Sequence, residues 1–298
     1  MQCYKMAFKK LALINQCRRA YGSIRQGSKY STTYRQYLKL EDGSVGSYFH
    51  DVPIGIQKDK CYVNMVVEVP RWSNGKFEIS KELKLNPITQ DVKKGKVRFV
   101  NNIFPYHGYI HNYGAIPQTW ENVTSSSSLP GVKEPLFGDN DPLDCCDIGS
   151  TVLKMGDIKT VKVLGSLALV DDGELDWKIM VINTEDPMHE KINNLADVEK
   201  YCPGLLDATR YWFKNYKVPT GKPVNEFAFN GEFQDYDKTM KTIEQCHQEW
   251  KGLVAGKISA SPNILLPTTE RKGTSISVKD DRLPDTPVPD HVNKWYYV

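Results

Sequence analysis

The run Lys159-Thr160-Val161-Lys162-Val163-Leu164-Gly165-Ser166-Leu167-Ala168-Leu169-Val170, the turn Asp171-Asp172-Gly173 and the return Asp176-Trp177-Lys178-Ile179-Met180-Val181-Ile182 decide the fold. Two apolar, β-branched runs around an Asp/Gly turn predict a β-hairpin. Outward from it, residues 31–185 read as short strands joined by Gly, Pro, Asn and Ser turns, with Ser125 to Pro130 a surface loop. Residues 187–256 turn helical, and Met240, Ile243, Cys246, Trp250 and Leu253 recur at helical spacing, which marks a core face. Strands followed by helices predict an α+β chain: a small twisted OB-like β-barrel with flanking helices and irregular terminal arms.

The chemistry is concentrated just before the hairpin. Gly138-Asp139-Asn140-Asp141-Pro142-Leu143-Asp144 sets three carboxylates within six residues, beside a proline that restricts the backbone. Asp139 and Asp141 are two apart and share a side of an extended segment. Like charges held so close repel, and a hard cation relieves them; oxygen ligands select Mg²⁺, Mn²⁺ or Ca²⁺ over zinc. An EF-hand loop beginning at Asp139 is excluded, because its fifth, sixth and twelfth positions hold Leu143, Asp144 and Ser150. Taken alone, the run serves equally well as helix caps or Asx turns.

Further polar residues stand at strand ends. Asp171 and Asp176 flank the hairpin turn, and Asp176 shares a strand face with Lys178. Glu68 ends the strand that starts at Tyr62, and Lys76 and Glu78 share a face of the next strand, opposite Phe77 and Ile79. Lys93, Lys94, Lys96 and Arg98 lead into a predicted strand at Phe99-Val100. Tyr106 to Tyr113 is dense in Tyr and His, and Tyr216-Lys217 with Lys222 sit on a proline-stiffened loop. Lysines and arginines beside tyrosine hydroxyls suit phosphate oxygens, although a solvated face accounts for any one of them. His107 and His111 have zinc-like spacing, but Gly108 and the β-like neighbours argue against the helix such a site needs.

Together these segments resemble the soluble inorganic pyrophosphatases of family I, in their eukaryotic form. The matching segments include Val67 to Trp72, Lys76-Phe77-Glu78, Arg98-Phe99-Val100, Gly108 to Gly114, Asp139 to Asp144, Asp171 to Glu174, Asp176-Trp177-Lys178, Tyr216-Lys217 and Gly221-Lys222-Pro223. The resemblance runs from about Gly27 to Lys257, with a weaker echo at Leu283 to Pro287 and Lys294-Trp295. It implies Mg²⁺-dependent hydrolysis of inorganic pyrophosphate by metal-activated water, with several Mg²⁺ ions per subunit and Mn²⁺ as a substitute. Asp139, Asp144 and Asp176 would hold the tightest metal, and Asp144 a second. Asp171 and Asp176 would hold ions arriving with substrate, and Glu78 and Glu68 would act through water. Asp141 would be the general base, and Tyr109 would assist by proton donation. Lys76, Arg98, Tyr113, Lys178, Tyr216, Lys217 and Lys222 would face phosphate oxygens. A homodimer is implied, with Arg71, Trp72, His107 and Trp295 as contacts. The sequence departs from the family pattern at Cys145-Cys146, where aliphatic residues are usual, at Leu175, where a small polar residue is common, and at Tyr106, where His is common. The alternative is a catalytically idle copy serving as a binding subunit of a larger assembly.

Composition bounds the rest. At 298 residues and 25% charged, the chain is an ordinary globular one with a single sizeable core. A formal charge of +3 is too mild to indicate nucleic-acid binding, and no P-loop is present. The seven cysteines lack CxxC spacing, which favours a reducing compartment. The expected organisation is a basic N-terminal arm over 1–27, one domain over 28–257, and a Ser/Pro-rich tail over 258–298 packing on it. No acid precedes Glu41, and a helical reading of Met6 to Arg19 gathers Phe8, Leu11 and Ile14 among basic groups. The expected location is cytoplasmic, and that N-terminus makes the mitochondrial matrix the alternative.

Overall fold

The computed structural model describes residues 21–258, 264, 277–281 and 283–298. The helical reading of Met6 to Arg19 lies outside them. Five strands carry the architecture: β1 (Tyr62–Val69), β2 (Asn112–Ala115), β3 (Asp144–Asp147), β4 (Ile158–Asp171) and β5 (Glu174–Asn183). β5 pairs with β3, β3 with β2, β2 with β1, β1 with β4, and β4 again with β5, so the hydrogen-bonded path returns on itself. This is the small OB-like barrel predicted from the hairpin. The β4–β5 turn is tighter than expected: Asp171 pairs with Glu174, leaving Asp172 and Gly173 as a two-residue loop at φ +49° and +92°.

Cross-strand register divides the barrel residues between two faces. One collects Val63, Met65, Val67, Cys145, Val161, Ala168, Trp177, Ile179 and Val181. Against it packs α3 (Tyr236–Val254) through Met240, Ile243 and Cys246. These are the residues whose helical spacing marked a core face, and Asp235 caps the helix by accepting from the Lys238 N–H at 3.0 Å. The other face is apolar at Val69, Cys146, Met180 and Ile182, and its upper end carries Tyr113, Asp144, Asp176 and Lys178. α2 (Leu205–Asn215), preceded by the short α1 (Leu195–Tyr201), covers that face with buried Trp212 and Phe213.

Outside the barrel, Phe77–Ile79 pairs with Ile88–Gln90 in a sheet that also contains Gly22–Gln26 and Arg35–Lys39. Gly22–Gln26 was expected in the N-terminal arm; instead it pairs residue by residue with Arg35–Lys39. The C-terminal residues run back over this sheet. Asp281 N–H donates to the Arg25 carbonyl at 3.0 Å, Thr286 N–H donates to the Lys29 carbonyl at 2.9 Å, and Trp295–Tyr296 pairs with Asn102–Ile103. No strand forms at Phe99-Val100, where Phe99 makes only an isolated bridge to Gly75. The preceding lysines instead form a tight hairpin, Val92–Lys93 against Lys96–Val97, turned by Lys94 and Gly95 at positive φ.

Candidate active site

The acidic run, the β4–β5 hairpin, the outer strand Phe77–Ile79 and the C-terminal end of α2 converge on one cleft. Among the described residues, nine carboxylates line it: Glu68, Glu78, Asp139, Asp141, Asp144, Asp171, Asp172, Glu174 and Asp176. Three lysines face them, Lys76, Lys178 and Lys217, together with Tyr109, Tyr113 and Tyr216. Parallel pairing of β3 with β5 places Asp144 beside Lys178, and the two-residue period of β5 puts Asp176 on the same face.

Each cation is held between acids. The buried Lys178 ammonium lies 2.5 Å from both Asp176 oxygens, also contacts Asp144, and donates to the Tyr113 hydroxyl at 3.0 Å. Burial pulls its proton affinity down, but Asp144 and Asp176 outweigh this and hold it well above the ordinary lysine value. Lys76 pairs with Glu78 at 2.5 Å and with Asp91 at 3.0 Å. Arg98 meets the same Asp91 oxygen at 2.5 Å. Lys217 pairs with Asp171, whose other oxygen accepts from the Tyr216 hydroxyl at 3.1 Å. Lys81 pairs with Asp141.

Packing and main-chain bonds fix these groups. Tyr216 stacks on Trp212 at 4.9 Å and 13°, Tyr109 contacts the same indole at 5.2 Å, and Trp212 Nε1 donates to the Gly108 carbonyl at 3.0 Å. Glu68 accepts from the Ile79 N–H at 2.7 Å, which ties the Glu78 strand to β1. Asp141 N–H donates to Asp139 Oδ1 at 2.9 Å, and the Asp141 carbonyl accepts from the Glu121 N–H at 2.9 Å.

The donor set fits a hard divalent cation. Glu121, Asp139 and Asp176 bring carboxylate oxygens within 4.8 Å of one another. Burial, reinforced by the neighbouring acids, pushes Asp139, Glu68 and Glu121 well above the usual carboxylate range. Asp176 is pushed up to about 8 by burial, with Lys178 opposing and Asp144 adding. Oxygen-only groups crowded this way are those a cation neutralises.

A family model described as inorganic pyrophosphatase matches residues 65–251. The chain belongs to the inorganic pyrophosphatase family. It is 58% identical over 280 residues to the mitochondrial inorganic pyrophosphatase of Saccharomyces cerevisiae, covering 94% of this chain and 90% of that one. It is 47% identical over 278 residues to the inorganic pyrophosphatase of Yarrowia lipolytica, covering 91% and 95% of the two chains. Among solved structures, the Schistosoma japonicum inorganic pyrophosphatase matches with a TM-score of 0.83 and 41% identity over 93% of this chain and 100% of its own.

Within this family member, the structure gathers most of the residues expected from the sequence. Asp139, Asp141, Asp144, Asp171, Asp176, Glu68, Glu78, Lys76, Lys178, Lys217, Tyr109, Tyr113 and Tyr216 all line the cleft. Arg98 and Lys222 do not line it; Arg98 pairs with Asp91, and the half-exposed Lys222 pairs with Asp172 at 3.0 Å. Asp144 accepts from Tyr113 and Lys178, and Glu121 joins Asp139 and Asp176 in a group whose carboxylate oxygens lie within 4.8 Å of one another. Sequence reasoning missed Glu121, Asp91 and Lys81. Glu121 is a single acid between Trp120 and Asn122, and only the oddity of a charge beside tryptophan marked it. Asp91 and Lys81 stand near chain turns, where acids and lysines are ordinary. On another surface, His107 Nδ1 meets the Trp72 carbonyl at 3.0 Å and its ring lies 6.4 Å from Trp295. Arg71 lies 5.9 Å over Trp72, but its guanidinium donates to the chain's own Asp147 and Gly149 carbonyls.

Proposed function

We propose that the cleft hydrolyses inorganic pyrophosphate to two phosphates in a Mg²⁺-dependent reaction. The observation that carries this reading is the charge of the cleft, nine carboxylates against three lysines. So acidic a cleft repels a phosphate anion until cations neutralise it, and crowded oxygen donors favour Mg²⁺, with Mn²⁺ as a substitute. A Trypanosoma cruzi vacuolar soluble pyrophosphatase, 35% identical with a TM-score of 0.72, has been solved in complex with PPi, which supports the choice of substrate.

Asp139, Asp144, Asp171 and Asp176 are the residues that would hold the ions directly, with Glu78 and Glu68 acting through water. When bound, the ions supply positive charge to phosphate oxygens and make the attacking water more acidic. Asp141 takes the proton from that water. Its main chain is anchored on both sides, so its carboxylate is positioned even when Lys81 lets go. Lys76, Arg98, Tyr113, Lys178, Tyr216, Lys217 and Lys222 bind the phosphate oxygens. Each lysine and Arg98 now rests on a carboxylate. Substrate entry would therefore exchange partners: the ammonium groups would turn to phosphate oxygens and free the carboxylates that would hold the cations. Burial raises the Tyr109 hydroxyl far above its ordinary value, so it keeps its proton and serves as a donor. Phosphoryl transfer depends on such positioning and electrostatics. The idle-subunit alternative is not favoured, since all the acids assigned to catalysis are present in one cleft.

The exposed aromatic surface around Trp72, Phe104, Trp295 and Tyr297 supports a homodimer. The name of the 58% identical yeast relative, with the acid-free N-terminal sequence, supports mitochondria as the location over the cytoplasm. The test of function is phosphate release from pyrophosphate by the purified chain. Release should require Mg²⁺ and vanish with excess chelator; absence of release from Mg²⁺-loaded protein would reject the reading.

A further inference from the structure

Behind the acidic cleft lies a second cavity of about 290 Å³, between the Trp120–Asn122 segment and α3. Trp120, Trp177, Leu129 and Leu175 give it apolar walls. Leu175 is one of the positions at which the sequence departs from the family pattern. It is 6% exposed and packs in the core rather than at the hairpin tip, so its side chain builds this wall. At the mouth stand Lys238 and Lys241, one turn apart on α3. The Lys238 ammonium lies 3.6 Å over the Phe229 ring. The Glu249 carboxylate, the acid of α3 that lines the cavity, accepts from Asn122 Nδ2 at 2.8 Å. The two lysines thus put positive charge at one end of a largely apolar cavity, whose other charged lining groups are Glu249 and the buried Glu121.

The two cavities share a wall. Gly138 N–H donates to the Asn122 carbonyl at 3.1 Å, Asn140 N–H donates to the Glu121 carbonyl at 3.1 Å, and Trp120 Nε1 donates to Asn140 Oδ1 at 3.0 Å. The lining segment is therefore laced along the whole acidic run. Trp177 N–H donates to Glu121 Oε1 at 3.0 Å, and Glu121 Oε2 is buried without a hydrogen-bond partner among the described residues. Leu175 and Trp177 flank Asp176, and Gly138 precedes Asp139. A molecule that spreads Trp120 from Trp177 moves the backbone on which Asp139 and Asp176 hang.

We propose that this cavity binds a small amphiphilic anion, with a flat apolar body between Trp120 and Trp177 and one anionic group at Lys238 and Lys241, and that its occupancy changes cation affinity at Asp139 and Asp176. Binding stands independently of the pyrophosphatase reading; the coupling rests on these carboxylates holding metal. The probe is 8-anilinonaphthalene-1-sulfonate, with N-phenyl-1-naphthylamine as the same body without the sulfonate. Its emission, excited by energy transfer from tryptophan, should rise along a single saturable isotherm. Lys241→Glu, on the exposed side of α3, should weaken binding at least tenfold, with little effect on N-phenyl-1-naphthylamine. Thr242→Trp should fill the cavity and abolish binding of both. The probe should shift the Mg²⁺ dissociation constant, read by calorimetry, at least threefold in the parent chain and not in Thr242→Trp. Probe binding unchanged in both variants would overturn the site. Probe bound there with Mg²⁺ affinity unmoved would overturn the coupling. Neither readout uses turnover, so failure of the pyrophosphatase reading would show separately, in the phosphate-release assay.

Discussion

Asp141→Asn separates catalysis from architecture, because the structure lets the two effects be sized independently. The substitution keeps shape and removes charge. The Asp141 main chain donates to Asp139 Oδ1 and accepts from Glu121, both at 2.9 Å, and neither bond involves the altered side chain. The side chain's ion pair with Lys81 is 37% exposed on the aspartate side, so solvent screening limits its contribution to about 1 kcal/mol or less. The melting temperature should therefore fall by no more than about 2–4 °C. Loss of a general base lowers turnover by ~10²–10⁴-fold. That is about 2.7–5.5 kcal/mol of barrier, well beyond the stability effect. The assay is phosphate release at saturating Mg²⁺, alongside a thermal melt and a Mg²⁺ titration. A loss of turnover below about tenfold would refute the assignment of Asp141 as base. A large loss accompanied by a matching collapse of Mg²⁺ affinity would make it a ligand instead.

Four other outcomes follow from named contacts. Lys178→Met leaves Asp144 and Asp176 without their ammonium and should destabilise the metal-free chain by about 3–5 kcal/mol; Mg²⁺ should raise the variant's melting temperature more than the parent's, and equal increments would show that the acids do not hold the ion. Gly114→Ala puts a methyl carbon 2.0 Å from the Val66 carbonyl oxygen, so β1 and β2 must part, costing about 1–3 kcal/mol in urea unfolding; an unchanged midpoint would contradict that close approach. Burial, then Arg71, pushes His111 down to about 3 from an ordinary 6.5, so the unfolded chain takes up a proton that the folded chain refuses. Stability should fall as pH drops through that window, with His111 supplying up to about 1.4 kcal/mol per pH unit, and His111→Gln should flatten the slope; an identical slope would assign the acid sensitivity elsewhere. Trp295→Ala, at a 44% exposed ring contacting Phe104 and His107, should shift sedimentation toward monomer; an unshifted dimer would exclude this surface.

Local chemistry made much of the protein legible from its sequence. The β4–β5 hairpin could be read because an Asp-Gly turn between two β-branched runs admits few other conformations. Asp176 and Lys178 were placed on one face by the two-residue period of a strand, and α3 by its apolar spacing. The acids Asp139, Asp141 and Asp144 stood out by crowding, and the polar residues of the other segments, rather than the run alone, favoured a site over helix caps or Asx turns.

Tertiary structure decided what those rules do not reach. Which acid meets which cation depends on parallel pairing of β3 with β5, a contact between segments more than thirty residues apart, and so does the neutralisation of Asp144 by Lys178. Glu121, Asp91 and Lys81 joined the site only when distant segments folded over it, because a lone charge in a loop carries no periodic signal. Leu175 looked like a change at an exposed hairpin tip; its burial against Trp177 and α3 gave it an apolar wall to build. Gly22–Gln26 became part of the outer sheet because Arg35–Lys39 offered an unpaired edge, which its own basic composition could not announce. Sequence fixes the chemistry a residue can perform through its own atoms and near neighbours, whereas its electrostatic partner and its desolvation are set by chain that arrives from elsewhere.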